Sequence, residues 1–135
     1  MKIALIGYGK MGKAIETIAV SKGHEIVLKI GIENVEDFTI EAVQQADIAI
    51  EFSSPHSAFQ NVMKCLEANI PVVCGSTGWL DKYHEAKDFC IQQNAALLYA
   101  SNFSVGVNIF FHLNKVLAKL MSAFPNYEIG MEEIH

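Results

Sequence analysis

Arginine is missing from this sequence: all 10 basic residues are lysines, set against 15 acidic ones for a formal net charge of −5. A surface that follows a nucleic-acid backbone favours basic stripes and the bidentate guanidinium fork. Neither is present, so no nucleic-acid partner is expected. Any anion site must instead use backbone N–H groups, hydroxyls or lysine. Cysteine is scarce as well. Cys65, Cys74 and Cys90 stand in no C-x-x-C or other metal-ligand spacing, and buried free thiols are expected. His24, His56, His84, His112 and His135 include no pair at zinc-ligand spacing, so no metal is expected. No stretch approaches the roughly 18 consecutive apolar residues of a membrane span. The start, MKIALIGYG, lacks a signal peptide's long apolar region and cleavage pattern, so the expected location is the cytoplasm. There is no low-complexity tract, no internal repeat and no charged tail.

What is present is apolar residue: 51% of a 135-residue chain, enough for a folded domain with a real core. The chain is organised around its amino terminus. A strand-like run, Lys2–Ile6, meets Gly7-Tyr8-Gly9-Lys10-Met11-Gly12, which opens into a helix pattern over Met11–Ser21. This is G-x-G-x-x-G in the strand–turn–helix context that gives it meaning as a dinucleotide site. Gly7 permits the tight turn, Gly9 lets a pyrophosphate approach the backbone, and Gly12 lets the helix pack closely. The orphan N–H groups of the helix start then face phosphate oxygens. A second strand, Glu25–Ile30, closes a βαβ unit. The acidic residue that usually binds the ribose hydroxyls near its end is not there. Lys29 is either a partner for a 2′-phosphate or a solvated strand lysine, and Glu33 lies several residues further on.

The rest alternates. A short helix is expected over Glu36–Gln45, strands over Asp47–Phe52, Pro71–Cys74 and Ala95–Ala100, and helices over His56–Ala68, Leu80–Gln93 and from about Val105 to Phe124. Tyr127–His135 reads as the start of a further strand, with nothing after it to pair, so the chain reads as part of a longer polypeptide. Short apolar strands alternating with helices indicate α/β architecture: a Rossmann-type parallel sheet with helices on both faces. Ligands of such sheets bind outside the carboxyl ends of the strands. Gly7–Gly12, Phe52–Pro55, Gly75–Gly78 and Ser101–Asn108 all fall at those ends and read as one continuous cofactor trough. His56, at a strand end, is the other histidine nearest to it.

These segments also carry a resemblance. Gly9-Lys10-Met11-Gly12, Glu51-Phe52-Ser53-Ser54-Pro55, Gly75-Ser76-Thr77-Gly78, Ser101-Asn102-Phe103-Ser104-Val105-Gly106-Val107-Asn108 and Glu133-Ile134-His135 run in order along the whole chain. Together they resemble the 4-hydroxy-tetrahydrodipicolinate (dihydrodipicolinate) reductases of lysine and diaminopimelate synthesis. The match to N-F-S-x-G-V-N is much more specific than the glycine turn. The resemblance implies reduction of the C=N bond of a cyclic imine dicarboxylate with hydride from NADH or NADPH. It implies cofactor contacts from Phe52, Ser53, Ser54, Gly75, Ser76, Thr77, Ser101, Asn102 and Phe103 besides the glycine turn and Lys29. His135 is implied as proton donor or charge partner in catalysis. Residues 1–104 correspond to the dinucleotide-binding domain. Residues 105–135 correspond to the first helix and strand of an incomplete α+β substrate domain, whose sheet builds a homotetramer in the full-length protein.

The sequence departs from the family pattern at three points. It ends at His135, before the companion lysine and the substrate-carboxylate loop. Its acid in D-F-[ST] is Glu51. It lacks the acidic residue after the second strand, which leaves the choice of NADH or NADPH open. The 135-residue chain, expected to be monomeric or weakly associated, should therefore bind cofactor better than it turns over substrate. Two other readings share the glycine turn: another amino-acid or sugar dehydrogenase, and a non-catalytic nucleotide sensor. Replacing Gly9 with a bulky residue is expected to abolish nucleotide binding by blocking the pyrophosphate. Calorimetric titration checks this, and an unchanged affinity would remove the role given to Gly9.

Overall fold

The structure is a computed structural model that describes residues 1–132 and Ile134. Glu133 and His135, the latter expected to be catalytic, lie outside the described residues. The chain divides into two compact units, Met1–Ser101 and the residues from Asn102 on.

The first unit carries a five-stranded parallel sheet in the order β2-β1-β3-β4-β5. The strands are β1 (Lys2–Ile6), β2 (Glu25–Ile30), β3 (Ile48–Glu51), β4 (Val72–Cys74) and β5 (Leu97–Tyr99). Between them run the helices α1 (Lys10–Ser21), α2 (Ile40–Val43), α3 (Pro55–Glu67) and α4 (Tyr83–Gln92). Side-chain alternation along the strands sorts the core into two layers. Ile3 and Leu5 of β1 pack with Ile15 and Ala19 of α1 on one face. Ala4 and Ile6 point the other way, where Val43 of α2, Val62 and Leu66 of α3, and Ala86 of α4 cover the sheet. β1 is buried on both faces over Ile3–Ile6 because it lies inside the sheet and under both layers. The expected Rossmann-type sheet with helices on both faces is therefore present.

Helix boundaries follow local chemistry. Pro55 occupies the first turn of α3, where its lack of an N–H costs nothing. α3 and α4 are each followed by an asparagine in the left-handed region, Asn69 at φ 56° and Asn94 at φ 50°, a conformation asparagine tolerates better than most residues. The stretch expected as one helix over Glu36–Gln45 is instead a 3-10 segment, Ile32–Asp37, followed by α2. Phe38 breaks them apart by turning into the core, and the Thr39 hydroxyl then caps α2 by accepting from the Ala42 N–H at 3.1 Å. Likewise Leu80–Lys82 forms a 3-10 turn before α4 rather than its first turn. Trp79 just before it is buried, donates its indole N–H to the Ser76 carbonyl at 2.9 Å, and meets Tyr99 edge-on.

The second unit consists of α5 (Val105–Met121) and the residues around it. Ser104 caps α5 through its hydroxyl, and the Asn108 amide donates to the carbonyls of Asn102 (2.9 Å) and Ser104 (2.8 Å). From Tyr127 onward the described residues form no strand, contrary to the sequence pattern. A strand needs a neighbour for its N–H and C=O groups, and the described residues supply none. Among the described residues no helix is long and apolar enough to cross a membrane.

Trp79 ties β5, α3 and α4 together through Tyr99, Phe59 and Tyr83. Trp79→Ala is expected to lower the unfolding free energy by about 3–5 kcal/mol, as measured by chemical denaturation.

Candidate functional site

The order of the strands creates the site. From β1 the chain steps to β2 on one side and to β3 on the other, so the carboxyl ends of β1 and β3 flank the switch point of the sheet. A cleft of about 760 Å³ opens there, lined by the turn after β1, the residues after β2 and the start of α3.

Its floor is a close crossing of two backbones. Gly7 sits at φ +98°, and a Cβ built on it would lie 2.0 Å from the carbonyl oxygen of Phe52. No other residue fits there without moving β3. Gly12 packs its bare Cα against the Gly7 carbonyl, where a Cβ would stand 2.5 Å away, which seats α1 directly on the turn. Gly9 is different: a Cβ there meets nothing within 4 Å. The space beside it is open, as the approach of a phosphate requires. Gly9 is the N-cap of α1, and no side chain caps the helix. Helix geometry leaves the first-turn N–H groups of Lys10, Met11 and Gly12 without intrahelical acceptors, so the helix start is chemically suited to an anion.

On the β2 side, Lys29 Nζ lies 3.3 Å from Glu16 Oε1 and 5.2 Å from the centroid of the Tyr8 ring, with Lys13 Nζ at 5.9 Å from the same ring. The Tyr8 hydroxyl donates to Glu16. That hydrogen bond raises the phenol above its ordinary range and lowers the Glu16 carboxyl below its own. Asn34 shapes the turn after β2 by accepting from the Gly31 N–H at 2.8 Å and donating to the Lys29 carbonyl at 3.0 Å.

On the β3 side, Phe52, Ser53 and Ser54 line the cleft together with Ser57 and Asn61 of α3. Gly75, Ser76 and Thr77, expected to contact the cofactor, do not line this cleft; Gly75 and Ser76 pack behind Phe52 and Ser53. A Cβ on Gly75 would lie 2.1 Å from the Phe52 ring, so the absent side chain is the seat of that ring. Ser76 is buried and accepts from the Ser53 N–H at 2.8 Å, while Thr77 is exposed. Of the residues singled out by sequence, the structure brings Gly7, Tyr8, Gly9, Lys29, Phe52, Ser53 and Ser54 to one cleft. Lys10, Met11 and Gly12 form the helix start beside it. Ser101 is exposed past the end of β5, and Asn102 and Phe103 belong to the second unit. Sequence reasoning passed over Lys13, Asn34, Ser57 and Asn61. A signal for the last two was available: Ser57 and Asn61 stand four residues apart on α3, one turn after Ser53, away from its buried residues Ala58, Val62 and Leu66.

A parallel sheet in this order, with a glycine turn entering an uncapped helix at its switch point, defines a Rossmann-type domain of the dinucleotide-binding class. The family described as "Dihydrodipicolinate reductase, N-terminus" matches residues 1–103. The chain is 48% identical over 139 residues to the 4-hydroxy-tetrahydrodipicolinate reductase of Christiangramia forsetii, covering all of this chain and 56% of that protein. It is 35% identical over 143 residues to the enzyme of that name from Staphylococcus aureus, again over all of this chain and 56% of the relative. Among solved structures, dipicolinate-bound dihydrodipicolinate reductase from Paenisporosarcina sp. TG-14 matches with a TM-score of 0.67 at 22% identity, over 92% of this chain and 54% of the other. An NAD-binding protein from Listeria innocua matches with a TM-score of 0.59 at 21% identity, over 75% and 35%. The chain belongs to the dihydrodipicolinate reductase family and spans about half the length of the curated relatives it matches.

The cysteines are buried and free, as expected. Burial, and secondarily the Glu51 charge, pushes the Cys65 thiol up to about 12. Burial, then the hydrogen bond to Glu51, pushes the Cys74 thiol higher still. Folded protein therefore holds these protons more tightly than unfolded chain. Their contribution to stability is fully present below the ordinary thiol range and is lost as pH rises above it. Unfolding free energy is expected to fall from about pH 8.5 upward. Urea denaturation across alkaline pH, compared with a Cys65→Ala/Cys74→Ala variant whose decline is shallower, measures this.

Proposed function

We propose that this chain is the cofactor-binding half of an NAD(P)H-dependent reductase acting on 4-hydroxy-tetrahydrodipicolinate, a cyclic imine dicarboxylate, in lysine and diaminopimelate synthesis. The observation that carries the reading is the open space at Gly9 beside the uncapped start of α1, at the sheet's switch point. The names of the relatives supply the reaction.

The residues fit a dinucleotide. The N–H groups of Lys10, Met11 and Gly12 bind the pyrophosphate. Tyr8, Lys13, Lys29 and Asn34 surround the adenosine end, and Phe52, Ser53 and Ser54 wall the nicotinamide ribose end. When bound, the cofactor supplies hydride to the imine carbon. The protein's task is to hold the ring about 3–3.5 Å from that carbon. The Phe52 ring, backed by Gly75, gives the wall a fixed position. As hydride lands on carbon, the imine nitrogen gains electron density and requires a proton or a positive neighbour. His135 fills that role in this reading.

Lysine charge flanking Tyr8 suits a 2′-phosphate. Titrations of the chain with NADH and with NADPH, side by side, test the reading. Binding of at least one is expected, and failure of both at millimolar concentration overturns it. Lys29→Ala is expected to weaken NADPH several-fold more than NADH. An equal loss for both would remove Lys29 from 2′-phosphate recognition.

A further inference from the structure

Glu51 is a carboxylate at the end of a core strand with 0% of its surface exposed. Burying a carboxylate is costly unless its oxygens are satisfied. No lysine stands within salt-bridge distance of Glu51 among the described residues. An apolar side chain in this slot would complete the layer of Ala49, Val62 and Leu66 without that cost. The reason for a carboxylate lies in what it holds. Oε1 accepts from the Ser53 N–H at 3.0 Å and from the Ser53 hydroxyl, while Oε2 accepts from the Cys74 thiol at 3.0 Å. The same Ser53 N–H is shared with the Ser76 hydroxyl at 2.8 Å.

We propose that Glu51 is a positioning residue for the cofactor, acting through Ser53 from beneath the cleft; this rests on the cofactor reading above. Two consequences follow from the geometry. Glu51 pins the backbone of the Phe52–Ser54 wall to the ends of β3 and β4. It also accepts the hydrogen bond of the Ser53 hydroxyl, so that Ser53 Oγ faces the cleft as an acceptor. Asn61 Nδ2 already donates to that oxygen at 3.0 Å, and the Ser57 hydroxyl lies 3.0 Å from it and 2.9 Å from Ser54 Oγ, so the Ser57 proton has either oxygen as its acceptor. With the Ser57 proton directed to Ser54 Oγ, Ser53 Oγ keeps one lone pair for a ligand group that donates, such as a ribose hydroxyl or a carboxamide N–H, and repels a phosphate oxygen.

The test is a cycle of Glu51→Gln, Ser53→Ala and the double variant, read by the fluorescence of bound NADH or NADPH and by competition with ADP. Each single variant is expected to weaken the dinucleotide about tenfold, and the double variant no more than the weaker single. ADP, which lacks the nicotinamide half, is expected to keep its wild-type affinity in all of them. Additive losses, a parallel loss of ADP, or undiminished dinucleotide affinity in Glu51→Gln would each overturn the proposal alone. Failure of the wild-type chain to bind either dinucleotide would overturn the cofactor reading itself, and this proposal with it. Circular dichroism monitors folding. Should Glu51→Gln not fold, Glu51→Asp replaces it in the cycle, with the same non-additivity expected.

Discussion

The backbone crossing at Gly7 and the Phe52 carbonyl governs everything built on this sheet. Two parallel strands end side by side there, and their chains leave toward opposite faces, one into α1 and the other into α3. The separation is too small for any side chain on the first strand's turn. Because the crossing is that tight, both helix starts are drawn to the same spot, and the cleft between them has a rigid floor. Close packing transmits the constraint outward: Gly12 seats α1 on the turn, and Gly75 seats the Phe52 ring on the next loop.

Electrostatics complete what packing begins. A chain without arginine has no bidentate fork for phosphate, and the structure supplies other means. Backbone N–H groups at the uncapped start of α1 are suited to an anion, and the nearby lysines lie over the Tyr8 ring, Lys29 paired with Glu16. On the other wall a buried carboxylate orders hydroxyls and amides into a directed chain, from Asn61 through Ser53 to Glu51. One wall therefore suits negative groups, and the other suits neutral donors. A nicotinamide dinucleotide, anionic in its middle and rich in hydroxyls at its ribose, matches that division.

Much of this was legible in the residues. The glycine turn after a short apolar strand named the ligand class, and the alternation of strand and helix named the architecture. The glycine turn and the Phe52–Ser54 segment located the cleft lining, which periodicity did not. Periodicity did less well where tertiary contacts decided the outcome. Phe38 breaks the stretch before α2 because its ring belongs in the core, a preference no local pattern displays. The β-like residues after Tyr127 form no strand among those described, since strand propensity without a partner is insufficient. Glu51 was visible only as a departure from a motif, and its three donors could not be anticipated from spacing.

The sequence by itself determined the parallel α/β sheet and the position of the glycine turn. Both rest on short-range rules: apolar strands of a few residues, and helix starts that need small residues to approach an anion. Only the tertiary structure decided which strand ends share the cleft, which glycines touch another backbone, and which hydroxyl donates to a buried carboxylate. Those depend on strand order and on ångström-scale approaches between residues distant in the chain, and no local pattern encodes either.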